Sequence, residues 1–311
     1  MTSTIEPVTV GIDLGGTGTR LVAVDRHGVV CGQRLLETPR STSAPDLLVR
    51  TLAGHISAVA GTRPLRGIGI GASGPVDANG IIRNDATLPA YSNLPLTTLI
   101  AATLGAPCQI DNDATTAAIG ENTYGAGHQS PSLLMITLGT GVGVGVLTPQ
   151  GPFRAADGSH PEAGHLPLPG PAAPCYCGLT TCWEQLASRT ALDKLTEGHT
   201  TTLAESANAG DATARDLFHR YGERVGTGMA ALLTIFRPER VVIGGSAAQY
   251  LPHFAPALDK AIARKSPFAW SPPYQTATLG ALSGAIGAAV IARPPDTARN
   301  RSAASRHAAR H

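Results

Sequence analysis

An apolar strand, a glycine-rich turn and a second apolar strand occur twice in this chain, at residues 8–25 (VTVGIDLGGTGTRLVAVD) and 133–147 (LLMITLGTGVGVGVL). One such unit is an ordinary hairpin. Two alike and far apart suggest a duplicated α/β unit whose copies face each other across a cleft. Glycines at such turns allow positive φ and let backbone N–H groups approach an anion closely. Both turns therefore read as phosphate cradles. In the first, Gly15, Gly16 and Thr17 form the turn, and Asp13 at the strand end can hold Mg²⁺ directly or through water. In the second, Gly139, Thr140 and Gly141 play the same part. A third element, RVVIGGS at 240–246, is a buried strand whose end at Gly245 lets an adenine or ribose pack on backbone. No G-x-x-x-x-G-K-[ST] occurs, and the first turn does not spell G-x-G-x-x-G opening a helix, so neither a P-loop nor a dinucleotide fold is supported.

Between the second glycine turn and this third element lies a loop that cannot fold by burial alone. The stretch 161–186 reads PEAGHLPLPGPAAPCYCGLTTCWEQL, rich in Gly and Pro, and it holds three of the chain's five cysteines. Cys175, Cys177, Cys182 and His165 supply the three thiols and one imidazole of a tetrahedral structural Zn²⁺ site. A metal so bound would pin the loop. Glu162 and Glu184 flank the ligands without an obvious place on the metal, so they are expected to face a ligand together with His165, whose second ring nitrogen can bond a hydroxyl.

Asp111-Asn112-Asp113 closes one strand and opens a helix. Asp111 or Asn112 can be the N-cap of that helix. Asp113, at a strand end facing the cleft, is suited to accept a proton from a hydroxyl attacking a phosphate, and Asn112 can hold a neighbouring hydroxyl.

The remaining pattern is strand, strand, strand over 8–38, a helix near 44–59 and strands at 65–73 and 107–113. Helices follow near 114–125, 180–195, 211–236 and 278–292. The basic tail 294–311 has little to bury and is expected to be disordered. A net charge of +2 with 15% charged residues gives no bias toward nucleic acid or membrane, and the segment at the N-terminus lacks the basic start and apolar core of a signal peptide. Reduced, metal-binding cysteines fit a cytoplasmic protein.

These residues resemble the ROK family, which groups bacterial sugar kinases with related repressors, from about Val8 to Ala292. D-L-G-G-T resembles its first phosphate motif, S-G-P-V-D (Ser73–Asp77) its sugar-side loop, N-D-A (Asn112–Ala114) its catalytic segment and L-G-T-G-V-G its second phosphate motif. E-A-G-H followed by C-Y-C-G-L-T-T-C-W-E resembles its zinc signature. The resemblance implies an α/β, actin-like or hexokinase-type fold, a duplicated ribonuclease H-like arrangement of two domains with a central cleft. The smaller domain would span 1–115, joined by the C-terminal helix near 280–292, and the larger 116–279 with the zinc loop. It implies transfer of the ATP γ-phosphate, with Mg²⁺, to the primary hydroxyl of a hexose, glucose by default. It also implies Asp113 as catalytic base, sugar contacts from Gly74, Thr87, Asn112, Asp113, Glu162, His165 and Glu184, and a homodimer. Three departures stand out. Thr181 replaces a glycine of the zinc signature, and Gly18 stands where many members carry Lys. Thr87 stands where an Asn usually meets the sugar, which brings an amino sugar such as kanosamine or an N-acetylhexosamine, or a cyclitol, into play as alternative acceptor. A sugar-responsive repressor is the distant alternative, and the seven residues before the first strand leave no room for a recognition helix.

Overall fold

The computed structural model describes residues 5–42, 44–263 and 269–293. The tail expected to be disordered lies outside these residues. Two five-stranded sheets carry the chain. The first is built from β1 (Val8–Leu14), β2 (Gly18–Val24), β3 (Val30–Glu37), β4 (Leu65–Ala72) and β5 (Cys108–Asn112) in the order β3-β2-β1-β4-β5. The second uses β6 (Leu133–Leu138), β7 (Val142–Thr148), β8 (Gly151–Pro152), β9 (Arg240–Gly244) and β10 (Tyr274–Thr276) in the order β10-β9-β6-β7-β8. Each sheet is an antiparallel three-strand meander followed by two parallel strands. The internal repeat read from the glycine turns is therefore a repeat of topology, with β1–β2 and β6–β7 as equivalent first hairpins. The architecture is the two-domain α/β fold expected.

Helices α1 (Pro45–Ala60) and α2 (Leu96–Leu104) cover one face of the first sheet, burying Leu52, Ile56, Leu96 and Ile100 with Ile68 and Ile70 in one apolar cluster. The second sheet packs against α7 (Ala212–Phe236) and α8 (Leu251–Ile262), through Phe218, Tyr221, Phe254 and Leu258. Further helices are α3 (Asp113–Tyr124), α4 (Glu184–Ala187), α5 (Arg189–Leu195) and α6 (Thr200–Asn208). Among the described residues no helix is long and apolar enough to cross a membrane.

Between the sheets lie α3 and α9 (Ser283–Ile291), both made mostly of small residues. Small side chains let backbones approach, and here the approach is extreme. A Cβ on Gly287 of α9 would sit 1.7 Å from the Thr116 carbonyl of α3, and one on Gly69 of β4 would sit 1.7 Å from the Ala288 carbonyl. Glu121 of α3 fastens the layer. It is fully buried, and its carboxylate accepts from the N–H groups of Ala126, Thr278 and Leu279 and from the hydroxyls of Thr278 and Ser283.

Several elements differ from the sequence pattern for local reasons. The helix expected near 180–195 is two, because Ser188 is extended (φ −69°, ψ 167°) and its side chain caps α5 by accepting from Ala191 N–H. α8 contains Pro252 and Pro256, which hide its apolar face among helix breakers.

Candidate active site

A cleft of about 1090 Å³ opens between the sheets. Its lining brings together Asp13, Gly15, Gly16, Thr17, Gly139, Thr140, Gly141 and Gly245 on the side of the glycine turns. Gly74, Thr87, Asn112, Asp113, Glu162, His165 and Glu184 line it as well. Cys175, Cys177 and Cys182 cluster with His165 at this wall.

Asp113 is the first residue of α3, so its position is fixed by a cap. Of the two candidates Asn112 is that cap: its Oδ1 accepts from Thr115 N–H at 3.0 Å, while its Nδ2 donates to Asp113 Oδ1 at 3.0 Å. Asp111 is instead ion-paired with Arg154, from the loop that leads to Glu162. The Asn112 amide, expected to hold a ligand hydroxyl, is thus engaged in orienting Asp113. Burial pushes the Asp113 carboxyl up to about 7; Asp13 adds to the lift, and hydrogen bonds from Ala114 N–H, Ser73 and Asn112 offset part of it. Asp13, whose carboxylate faces the cleft among buried surroundings, is lifted to about 6 by desolvation, with Arg20 at 3.8 Å pulling the other way. Glu162 is held up at about 7 by desolvation and by Asp113 and Glu184. The three carboxyls therefore titrate at about 6 to 7, the range in which a carboxylate is ionised near neutral pH and still basic enough to take a proton.

The glycine turns are tight through neighbours more than through positive φ. A Cβ on Gly16 would lie 2.4 Å from Thr87 Cγ2, and one on Gly141 would lie 2.6 Å from Glu184 Oε2. Each turn is thus pressed against a residue expected at the acceptor, which places phosphate and acceptor regions side by side. Gly245 does need its freedom: φ is +81°, and a Cβ there would collide with Leu138 backbone at 2.4 Å. The second turn is braced by α5, with Arg189 N–H bonded to the Gly139 carbonyl at 2.7 Å and Thr190 Oγ1 to the Thr140 carbonyl at 2.9 Å.

The cysteine loop closes the far end. Trp183, fully buried, donates from Nε1 to the Arg224 carbonyl at 3.0 Å and anchors the end of the loop that presents Glu184. The ligand atoms of His165, Cys175, Cys177 and Cys182 lie within 4.8 Å of one another. Tetrahedral zinc with Zn–S bonds of about 2.3 Å spaces its sulfurs by roughly 3.8 Å, and Cys177 and Cys182 Sγ are 3.4 Å apart. The donor set and its spacing are compatible with zinc.

Sequence reasoning missed several cleft residues. Arg40 donates to the carbonyls of Gly16, Thr87 and Ala86 at 3.3–3.4 Å, a cation beside the first turn where Gly18 supplies none. Tyr176 and Lys194 also line the cleft. Tyr91, four residues beyond Thr87, lies in the core of the first sheet and is not among the cleft-lining residues. The spacing Cys-Tyr-Cys was the one available signal for Tyr176, since a residue between two ligands of one metal has a fixed backbone.

The family model described as "ROK family" matches residues 9–294. A glucokinase of Thermotoga maritima is 31% identical over 257 residues, covering 76% of this chain and 81% of that one. An N-acetyl-D-glucosamine kinase of Erwinia tasmaniensis is 28% identical, covering 90% and 98%. The crystal structure of a ROK family glucokinase from Streptomyces griseus, in complex with glucose and AMPPNP, superposes with a TM-score of 0.79 at 27% identity, covering 92% and 99% of the two chains.

Proposed function

The chain belongs to the ROK family, and from that premise we propose that it is an ATP-dependent sugar kinase acting on the primary 6-hydroxyl of a hexose. The observation that carries this reading is Asp113: a buried carboxyl lifted to about 7, oriented by Asn112, in a cleft shared with two glycine turns. Asp113 accepts the hydroxyl proton as the sugar oxygen bonds to the γ-phosphorus. The bond from that phosphorus to the bridging oxygen breaks, and its electron pair leaves with ADP. Such a reaction asks the protein mainly for positioning and charge compensation.

Backbone groups of Gly15, Gly16, Thr17, Gly139, Thr140 and Gly141 hold the phosphates, and Gly245 offers the flat surface for the nucleoside. Asp13 is placed to hold Mg²⁺, which when bound neutralises charge on the phosphates. Gly74, Thr87, Asn112, Glu162, His165 and Glu184 surround the acceptor. His165, Cys175, Cys177 and Cys182 would hold a structural zinc ion that stiffens the loop carrying His165 and leading into Glu184. Residues 1–115 with the C-terminal helix form one closing body and 116–279 the other, in a cytoplasmic homodimer.

Glucose is the default acceptor, supported by the likeness to the Thermotoga and Streptomyces glucokinases. Thr87 in the cleft wall and the likeness to the Erwinia kinase favour an amino sugar as the second reading. A coupled ADP-release assay with MgATP against glucose, mannose, N-acetylglucosamine, free amino sugars and cyclitols separates the two. Turnover of glucose above all others supports the first, and turnover of an amino sugar or cyclitol alone supports the second. No turnover with any of them refutes the kinase reading.

A further inference from the structure

His165 turns its two ring nitrogens in different directions. Nδ1 lies 3.4 Å from Cys175 Sγ, on the side of the thiols. Nε2 lies 2.9 Å from Tyr176 Oη, and the two rings meet edge to face with centroids 5.0 Å apart. The nitrogen expected to be free for a ligand hydroxyl is therefore already occupied by a phenol.

Tyr176 sits in an unusual position for an aromatic side chain. It is 57% exposed, yet it lines the cleft. Exposing so much apolar ring is unfavourable unless something covers it. Its neighbours Cys175 and Cys177 both belong to the four-ligand cluster, so its backbone is held wherever that cluster is held. Nδ1 also lies 3.7 Å from Glu184 Oε1, and once a metal shared with the thiols takes Nδ1, the ring proton of His165 belongs on Nε2. Nε2–H then donates to Tyr176 Oη. A phenol keeps its proton at neutral pH and can donate it onward. The direction left for that proton is the cleft, where Glu162 and Glu184 stand and an acceptor would lie.

We propose that Tyr176 is a further acceptor-binding residue: its Oη–H, oriented by His165, donates to one hydroxyl oxygen of the sugar, so that His165 reads the sugar through Tyr176. The assignment rests on the sugar-kinase reading above.

The test compares the zinc-loaded wild type with Tyr176→Phe, which removes only the hydroxyl. D-Glucose and N-acetyl-D-glucosamine serve as probes, with KM and kcat from ADP release, Kd from calorimetry, and zinc content from elemental analysis. Loss of one hydrogen bond predicts that KM and Kd for the sugar rise about three- to tenfold. The kcat stays within about twofold, the KM for ATP is unchanged, and zinc content is unchanged. Monodeoxy-glucoses identify the partner: against the one lacking the contacted hydroxyl, Tyr176→Phe costs nothing. Equal KM and Kd for wild type and variant overturn the assignment while leaving the kinase reading intact. So does a variant that loses zinc, because Tyr176 would then serve the cluster and not the sugar. A wild type that neither binds nor phosphorylates these probes or any other sugar of the acceptor panel overturns both readings together.

Discussion

Asp113 should make activity and stability respond to pH with opposite signs. Its carboxyl is lifted from 3.8 to about 7, chiefly by burial and further by Asp13. A general base must be ionised, so kcat/KM for the sugar should climb with pH and level off above about 7. At a pH about two below the midpoint roughly 1% of the base is ionised, so activity at pH 5 should be about a hundredth of the plateau. An ordinary carboxylate would leave the range from pH 5 to 8 nearly flat. Stability runs the other way. A carboxyl whose folded pKa exceeds its unfolded value binds its proton more tightly when folded. Its contribution is whole below 3.8 and is lost as pH rises to about 7. Raising a carboxyl from 3.8 to about 7 tightens its hold on the proton by on the order of 4 kcal/mol. The side of Asp113 open to the cleft is screened by water, which reduces this to about 2 kcal/mol. Asp13 and Glu162 are lifted too, so the comparison must isolate one group. Roughly 60% of the Asp113 contribution is lost between pH 5 and 8, so over this range the ligand-free wild type should lose about 2 °C more in Tm than Asp113→Asn, measured by scanning fluorimetry in matched buffers. Flat activity from pH 5 to 8, or parallel stability curves for the two proteins, would refute the reasoning.

Two further outcomes concern the cysteine loop and the buried layer. Cys177→Ser removes one of four clustered ligands, so zinc bound per chain should fall from about one toward zero on dialysis against a chelator; unchanged zinc content in elemental analysis would remove Cys177 from the ligand set. Glu121→Ala strands the donors of Ala126, Thr278, Leu279 and Ser283 inside the protein, which should cost about 3–5 kcal/mol in urea unfolding. A loss below about 1 kcal/mol would show that water replaces the carboxylate without strain.

The parts of the fold that could be read in the sequence are those decided locally. Alternating apolar residues around the glycine turns define β1–β2 and β6–β7, and the small-residue run of α9 continues helically because nothing in it breaks a helix. α2 has no capping side chain, β10 spans three residues, and α8 carries two prolines, so each depends on tertiary packing that a local pattern does not carry. The same division holds in the cleft. Asp113 and the cysteine cluster announce themselves by residue type and spacing. The choice between Asp111 and Asn112 as cap turned on Arg154, which arrives from a loop 43 residues away. Arg40 gave no signal because its partners are backbone carbonyls, two of them 46 and 47 residues along the chain. The position of Tyr176 on His165 depends on the loop being folded back on itself, which no linear spacing encodes.

The central claim is that Asp113 is the base of a sugar kinase, and single-turnover measurement of Asp113→Asn tests it most directly. With MgATP and the best acceptor of the panel, sugar and nucleotide binding should stay within about tenfold of wild type, while phosphoryl transfer should fall by a factor of about 10² to 10⁴. Transfer within about tenfold of wild type, with binding intact, would contradict the account, because the carboxylate at the head of α3 would then not be the group that takes the proton.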